Sequence, residues 1–541
     1  MPGSKDYKNL KKYIFCLIFV ASLALSVFYG FQKQGFHEDE YYTYFSSNRS
    51  LGLYQPDRQW QDRQTILDEF AVKKGEGFNY GLVKLVQSWD VHPPFYYFIF
   101  HTICSFVPGV FTKWTGIATN LLAFAISFVF LCLIMDRLKV SPFVETLVLL
   151  FYGLNPQTVS ANIFVRMYAW LGALILVCAY LHIRLIQEYD QNASDLKKYC
   201  IRLLLPIMVA SYIGFLIQYF YIFFFVFIGI ATAWIIAFVK RDIKNAAIYV
   251  AGCAVSLMLS VVTYPACLSH LFGGYRGSGA SGSFFDIQNT GMRFAFFTGL
   301  LNTFVFAGGL VIILLVIFIG TMLKMAAKKK NPIVEIPLKK DRKGSSGNAL
   351  EIIALAVATF GYFFMASKTA LLVGSASNRY EMPVYSLLIL LIFMDAFYVL
   401  DNFGNRALIY VFAAILMALL LKGHLSDKNV LFLYPEDAGK IEYARENSKE
   451  AAVVMFNPVT AHNVWRLTDE ILEYDKVYYM DESNLQRVTD PEIVNADKVI
   501  LYVADEDHQQ EAIEEFVNGC KNLSDITWIS SEDMWTTFEI N

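Results

Sequence analysis

Residues 13–31 read YIFCLIFVASLALSVFYGF, a run without a single charged side chain. About 20 apolar residues, at 1.5 Å of rise each, match the ~30 Å of a bilayer's hydrocarbon core. A basic leader precedes the run, with Lys5, Lys8, Lys11 and Lys12. A cleaved signal peptide has the same order of charge and apolarity. This run is long for a signal, and no small-residue A-x-A site follows it. We therefore read an uncleaved first membrane span.

The rest of the chain agrees with that reading. Of its 541 residues, 56% are hydrophobic and only 17% charged, where soluble domains carry about a quarter charged. Apolar blocks recur near 117–135, 143–160, 169–187, 201–217, 219–239, 246–264, 293–323, 349–367, 384–400 and 407–423, giving about eleven transmembrane helices. Basic clusters fall at DRLK (136–139), KKY…R (197–202), KRDIK (240–244), KKK (328–330) and KKDRK (339–343). With the N-terminus inside, all of them are cytoplasmic. PFYYFIFHTICSFVPGV (94–110) is short and carries His101. Counting it as a span would put DRLK outside, so it is expected to be an interfacial or re-entrant helix. The eight cysteines show no CxxC or CxxH spacing, which argues against zinc or a disulfide framework.

Two domains follow, a membrane domain over 1–423, with a long first outer loop at 32–116, and an extracytoplasmic tail over 424–541. The tail holds 25 Asp and Glu against 9 Lys and Arg, and the remainder 23 against 36. In the tail, AAVVMF (451–456), KVYYM (476–480) and KVILYVA (498–504) read as buried strands. Helical stretches at 435–448 and 505–520 alternate with them. That order predicts an α/β domain with a mainly parallel sheet. It has no GxGxxG and no phosphate-binding loop.

Polar residues collect in the outer loops. FHEDEYYTYF (36–45) places Glu38, Asp39 and Glu40 just after the first span. WDVHPPFYY (89–97) brings Asp90 and His92, and its paired prolines suit the start of a helix. FVRMYAWL (164–171) brings Arg166 and Tyr168, and ASNRYEMPVY (376–385) brings Arg379 and Tyr380. Each has a plain reading: solvated acids, a capping histidine, interfacial anchors. Their conjunction on one side of a membrane points to function, because charge near hydrocarbon is costly.

DEYYTY, then DVHPP some fifty residues later, R-x-Y after the third span and NRY…P before a late span together resemble the GT-C glycosyltransferases. The resemblance is strongest to the branch of protein O-mannosyltransferases and aminoarabinose transferases, and covers roughly residues 10–423. DVHPP is the most specific match. FYY follows it here, where the protein mannosyltransferases have a small apolar and a basic residue. The resemblance implies an inverting enzyme that moves a sugar from a polyprenyl-phosphate carrier to an extracytoplasmic acceptor, whether protein, glycolipid or cell-wall polymer. By resemblance Asp39 is the catalytic base, Glu40 orients hydroxyls and Glu38 is a bystander. Arg379, with Tyr380, is the first choice for the carrier phosphate and Arg166, with Tyr168, the second. His92 contacts the phosphate or locks its loop, and Asp90 is structural. No cofactor is expected, and a divalent ion among the three acids is not favoured. Few cysteines in the tail suit a bacterial plasma membrane and a role in the cell envelope. Two rivals predict different features. A transporter or flippase wants charges near mid-bilayer and paired broken helices. A receptor or scaffold would use the acidic tail as its binding module.

Overall fold

A computed structural model of the chain describes residues 4–48, 55–330, 348–504, 508–532 and 534–541. KKDRK (339–343) lies outside the described residues. Helix α1 (Ser4–Gln32) contains the first span. Among the described residues, nine helices are long and apolar enough to cross a membrane. They are Asn9–Gln32 of α1, Lys113–Arg137, Tyr168–Asn192, Leu196–Ile217, Tyr221–Val239, Ile243–Thr263, Ala349–Thr369, Met382–Asp401 and Arg406–Leu425. The chain is a multi-pass helical membrane protein.

Two expected spans are not straight. The block at 143–160 forms two helices, Pro142–Gly153 and Pro156–Ile163. Pro156 forces the residue before it out of the helical region. Asn155 is accordingly extended, with ψ 137°, and its side chain accepts from the Gln157 amide to cap the second piece. The two pieces are tied to neighbouring helices at both ends. Glu145 meets Lys11 at 2.6 Å, and Lys11 lies 3.7 Å from Asp136, at the Arg137 end of the Lys113–Arg137 helix. The other end meets Asn120, whose amide donates to the carbonyls of Ala161 (3.3 Å) and Phe164 (2.5 Å). His424 takes up the carbonyl of Leu154 at the break, as a broken helix at membrane depth requires.

The block at 293–323 likewise becomes Thr290–Val305 and Leu310–Met325, bent by 102°. Between them Ala307 and Gly308 have positive φ, 48° and 87°, which glycine adopts without strain. Arg293 binds the Ser367 and Ala370 carbonyls, while Asn155 and Asn429 bind those of Val305 and Thr303. Among the described residues, nine long helices and this bent pair make up to ten spans against the eleven expected, the block at 143–160 forming shorter helices. The segment at 94–110 contains the helix Phe95–Ser105, 11 residues long, or about 16 Å; that is too short to cross, as expected.

The chain divides into two compact units, one of Met1–Gly30, Gln87–Tyr96 and Gly116–Leu431, the other of Phe31–Val86, Tyr97–Thr115 and Phe432–Asn541. Much of the first loop thus groups with the tail, so the units do not divide simply at 423/424. The second unit has a six-stranded sheet made of β1 (Gln59–Asp62), β2 (Ala451–Phe456), β3 (Lys476–Asp481), β4 (Val499–Ala504), β5 (Ile526–Glu532) and β6 (Trp535–Ile540). The order is β1-β3-β2-β4-β6-β5. The expected strands β3, β2 and β4 are parallel, and β1, β6 and β5 add antiparallel neighbours. The sheet is mixed rather than mainly parallel. Its central strands are buried on both faces, with Val453, Met455, Leu501 and Phe516 on one side and Val454, Tyr502, Val464 and Trp535 on the other. β1 comes from the first loop and pairs Gln59 with Tyr479.

Candidate functional site

The helical unit gathers Asp90, His92, Arg166, Tyr168, Arg379 and Tyr380 near the end of the bundle away from Lys11 and Arg137. Pro93 and Pro94 precede the helix that opens at Phe95, and they fix the short loop before it. In that loop His92 Nδ1 lies 3.1 Å from Asp90 Oδ2, and His92 Nε2 lies 3.3 Å from an Arg166 amino group. Arg166 sits between the helices ending at Ile163 and starting at Tyr168, and is only 2% exposed. Burial pushes the Asp90 carboxyl up, but His92 and Arg166 outweigh it and hold Asp90 below its ordinary value. A carboxylate, an imidazole and a guanidinium therefore form one chain, in which Asp90 orients the ring that meets the arginine.

Arg379 is 4% exposed. It stands in a 3₁₀ turn, Gly374–Tyr380, before the span that starts at Met382. Its guanidinium lies over the rings of Tyr380 (5.2 Å) and Phe164 (6.0 Å), and donates to the Tyr380 hydroxyl at 3.4 Å. Phe164 stacks on Tyr168 at 6.0 Å, and Tyr168 meets Tyr380 edge-on at 5.7 Å. The turn is anchored from behind, where Tyr362 donates to the Tyr380 carbonyl at 2.9 Å. Gly172 permits close packing there, since a Cβ would meet the Pro383 backbone at 3.3 Å. Arg379 thus lies against the aromatic cluster, and weakly hydrated guanidinium suits such faces.

The sequence reading missed two residues beside this loop. His270 accepts or donates to the Tyr219 hydroxyl at 2.9 Å and lies 3.3 Å from the Ser88 carbonyl; burial lowers its pKa. Gln87 is fully buried, and neither atom of its amide has a hydrogen-bond partner among the described residues. Spacing marks neither of them; only the fold brings 270 back to 88.

The three acids belong to the other unit, at the first turn of helix α2 (Glu38–Asn48), where negative charge suits the helix dipole. Their side chains diverge. Glu38 pairs with Arg466 at 3.1 Å, so it is not the solvated bystander expected. Glu40 is wholly buried. It pairs at 2.9 Å with the equally buried Lys33 and accepts the His37 amide at 2.7 Å. That placement ties α2 to the chain before it. Asp39 remains partly exposed, and its carboxylate lies 3.7 Å from His37 Nδ1. No group of three or more His, Cys, Asp or Glu arranged to hold a metal ion occurs among the described residues. Asp469, also missed from sequence, accepts from Tyr41 at 3.2 Å. Burial raises its carboxyl to about 7, with Asp437 and Glu40 also raising it and Tyr41 and Lys33 lowering it.

The fold and these residues define a class, a polytopic helical membrane protein with buried arginines near one end of its bundle and a mixed-sheet unit. No protein-family model and no curated relative matches the chain. Among solved structures it is similar to ArnT from Cupriavidus metallidurans bound to undecaprenyl phosphate, at 9% identity over 99% of this chain and 98% of that one, with a TM-score of 0.48. It is also similar to ArnT from the same organism in the apo state, at 10% identity over 92% and 95% of the two chains, with a TM-score of 0.43.

Proposed function

We infer that this chain is a GT-C-type membrane glycosyltransferase that takes a sugar from a polyprenyl-phosphate carrier. The observation that carries this reading is the burial of two arginines, Arg379 over the rings of Phe164 and Tyr380 and Arg166 beside His92, which Asp90 orients. Buried guanidinium at the end of an apolar bundle suits a phosphate whose other end is a lipid chain. As the bond from sugar to phosphate breaks, negative charge grows on the leaving phosphate, and fixed cations stabilise it best. Arg379 is assigned to that phosphate, Arg166 to the same anion or to holding its loop. Asp39 is assigned the proton of the acceptor hydroxyl as it attacks the anomeric carbon with inversion. Glu40 is assigned a positioning role through Lys33. The acceptor is extracytoplasmic, with the tail on the same side of a plasma membrane.

The test uses the purified full chain in lipid nanodiscs, with undecaprenyl phosphate as the probe. Arg379→Ala is expected to weaken its binding, and Arg166→Ala to weaken it less. Equal binding by both variants and the parent protein overturns the phosphate assignment. In cells, mass spectrometry of envelope glycans with the parent protein or Asp39→Asn identifies the sugar and acceptor. An unchanged glycan profile on loss of the parent protein overturns the enzymatic reading.

A further inference from the structure

We propose that the tail positions the catalytic helix, so that Arg466, through Glu38, sets the orientation of Asp39. This inference rests on Asp39 being the base. It starts from a helical period: Glu38, Tyr41, Tyr42 and Phe45 recur at i, i+3, i+4 and i+7 and so share one face of α2. All four meet one short stretch of the tail. Glu38 pairs with Arg466, and Tyr41 donates to Asp469. Tyr42 and Phe45 pack on Trp465, with ring centroids 4.8 and 4.4 Å away. Trp465 is itself buried, and its neighbours Val464 and Leu467 belong to the sheet's core cluster with Trp535.

The entry to α2 is held by the tail as well. Lys33 donates to the Phe432 carbonyl at 2.8 Å, and the Gln34 amide to that of Leu433 at 2.7 Å. Gly35 lies against the Asp437 side chain, which a Cβ there would displace. Asp39 lies between Glu38 and Glu40, whose partners are Arg466 and Lys33. A tilt of α2 moves all three carboxylates together, and a base displaced by about 1 Å loses much of its rate. The tail is therefore part of the machinery of the chemical step and not solely a module for choosing acceptors.

The experiment uses the full chain with Arg466→Glu, and with Glu38→Arg combined with Arg466→Glu. Amide exchange over 38–48 is read by mass spectrometry, and kcat, donor KM and melting temperature are measured beside it. Arg466→Glu places two carboxylates face to face. The expected result is exchange in α2 faster by about tenfold and a kcat lower by about tenfold, with donor KM and melting temperature unchanged. The swapped pair restores both. Unchanged exchange and kcat in Arg466→Glu overturn the inference. So does a kcat loss that only follows a lower melting temperature, or a swapped pair that restores neither. Normal turnover in Asp39→Asn removes the base assignment, while the exchange result still reports whether the tail holds α2, so the two failures are distinguishable.

Discussion

The arginines of the bundle and the acids of α2 both put charge where solvent is scarce, but they settle it differently. Arg379 is set over the rings of Phe164 and Tyr380, and Arg166 meets His92, which Asp90 orients. Glu38 and Glu40 each meet a full opposite charge, Arg466 and Lys33. A charge already matched by an ion pair resists recruitment, because a buried partner is left behind. The difference teaches that a cluster of like residues in sequence is not a cluster of like roles. Of three adjacent acids, Glu38 meets Arg466 and Glu40 meets Lys33, while Asp39 is the one proposed for chemistry.

The comparison breaks most sharply at Asp39. Asp39→Asn is expected to lower transfer about 10²–10⁴-fold with binding of undecaprenyl phosphate unchanged, checked by single-turnover assay beside a binding measurement. Near-normal turnover would remove Asp39 from the chemistry. Next comes Lys33→Met, which strands buried Glu40. About 3–5 kcal/mol of stability should be lost, read by thermal unfolding in detergent, and Glu40→Gln added to it should recover a large part. If Lys33→Met melts like the parent protein, the pair is not a fastener.

Arg379→Ala is expected to cost about 1.5–3 kcal/mol of phosphate affinity, the range for hydrogen bonds to charged groups, or roughly 10–100-fold in Kd. Asp469 gives a pH signature. Its folded pKa of about 7 stands above the ordinary ~3.9, so the fold favours its neutral form. That stability is complete below pH ~4 and is lost as pH rises towards 7. Tyr41, Asp437, Lys33 and Glu40 face it and set the shift. Asp469→Asn, which keeps an acceptor for Tyr41, should melt above the parent protein at pH 8, with the gap closing by pH 4. No gap at pH 8 contradicts the raised pKa. The smallest effect is at Gln87, where Gln87→Leu is expected to raise stability by about 1 kcal/mol, seen as a higher melting temperature. A lower melting temperature shows that the amide is satisfied in the folded protein.

The membrane character, the approximate span positions and three central strands were legible in residues 1–541, because apolar runs and their lengths are local properties. The breaks were partly legible: Asn155–Pro156 is a helix-start signal inside the apolar block at 143–160, which was read by its length. Strand β1, QWQD, carries no apolar run and is a strand through its register on β3. In the site, Asp90, His92 and Arg166 were all named from sequence, but not their order as a hydrogen-bonded chain. Lys33, Arg466, His270 and Asp469 were not named, since each acts on a residue distant in the chain or looks like an ordinary polar residue.

The sequence by itself determined that this chain lives in a membrane, which residues carry charge among its apolar blocks, and where the tail's central strands run. Those follow from the transfer free energy of side chains and from the period of a helix or strand. Only the tertiary structure decided which charges are matched. Partnership between residues about 430 positions apart, such as Glu38 and Arg466, depends on closure of the whole fold, and no local pattern encodes it.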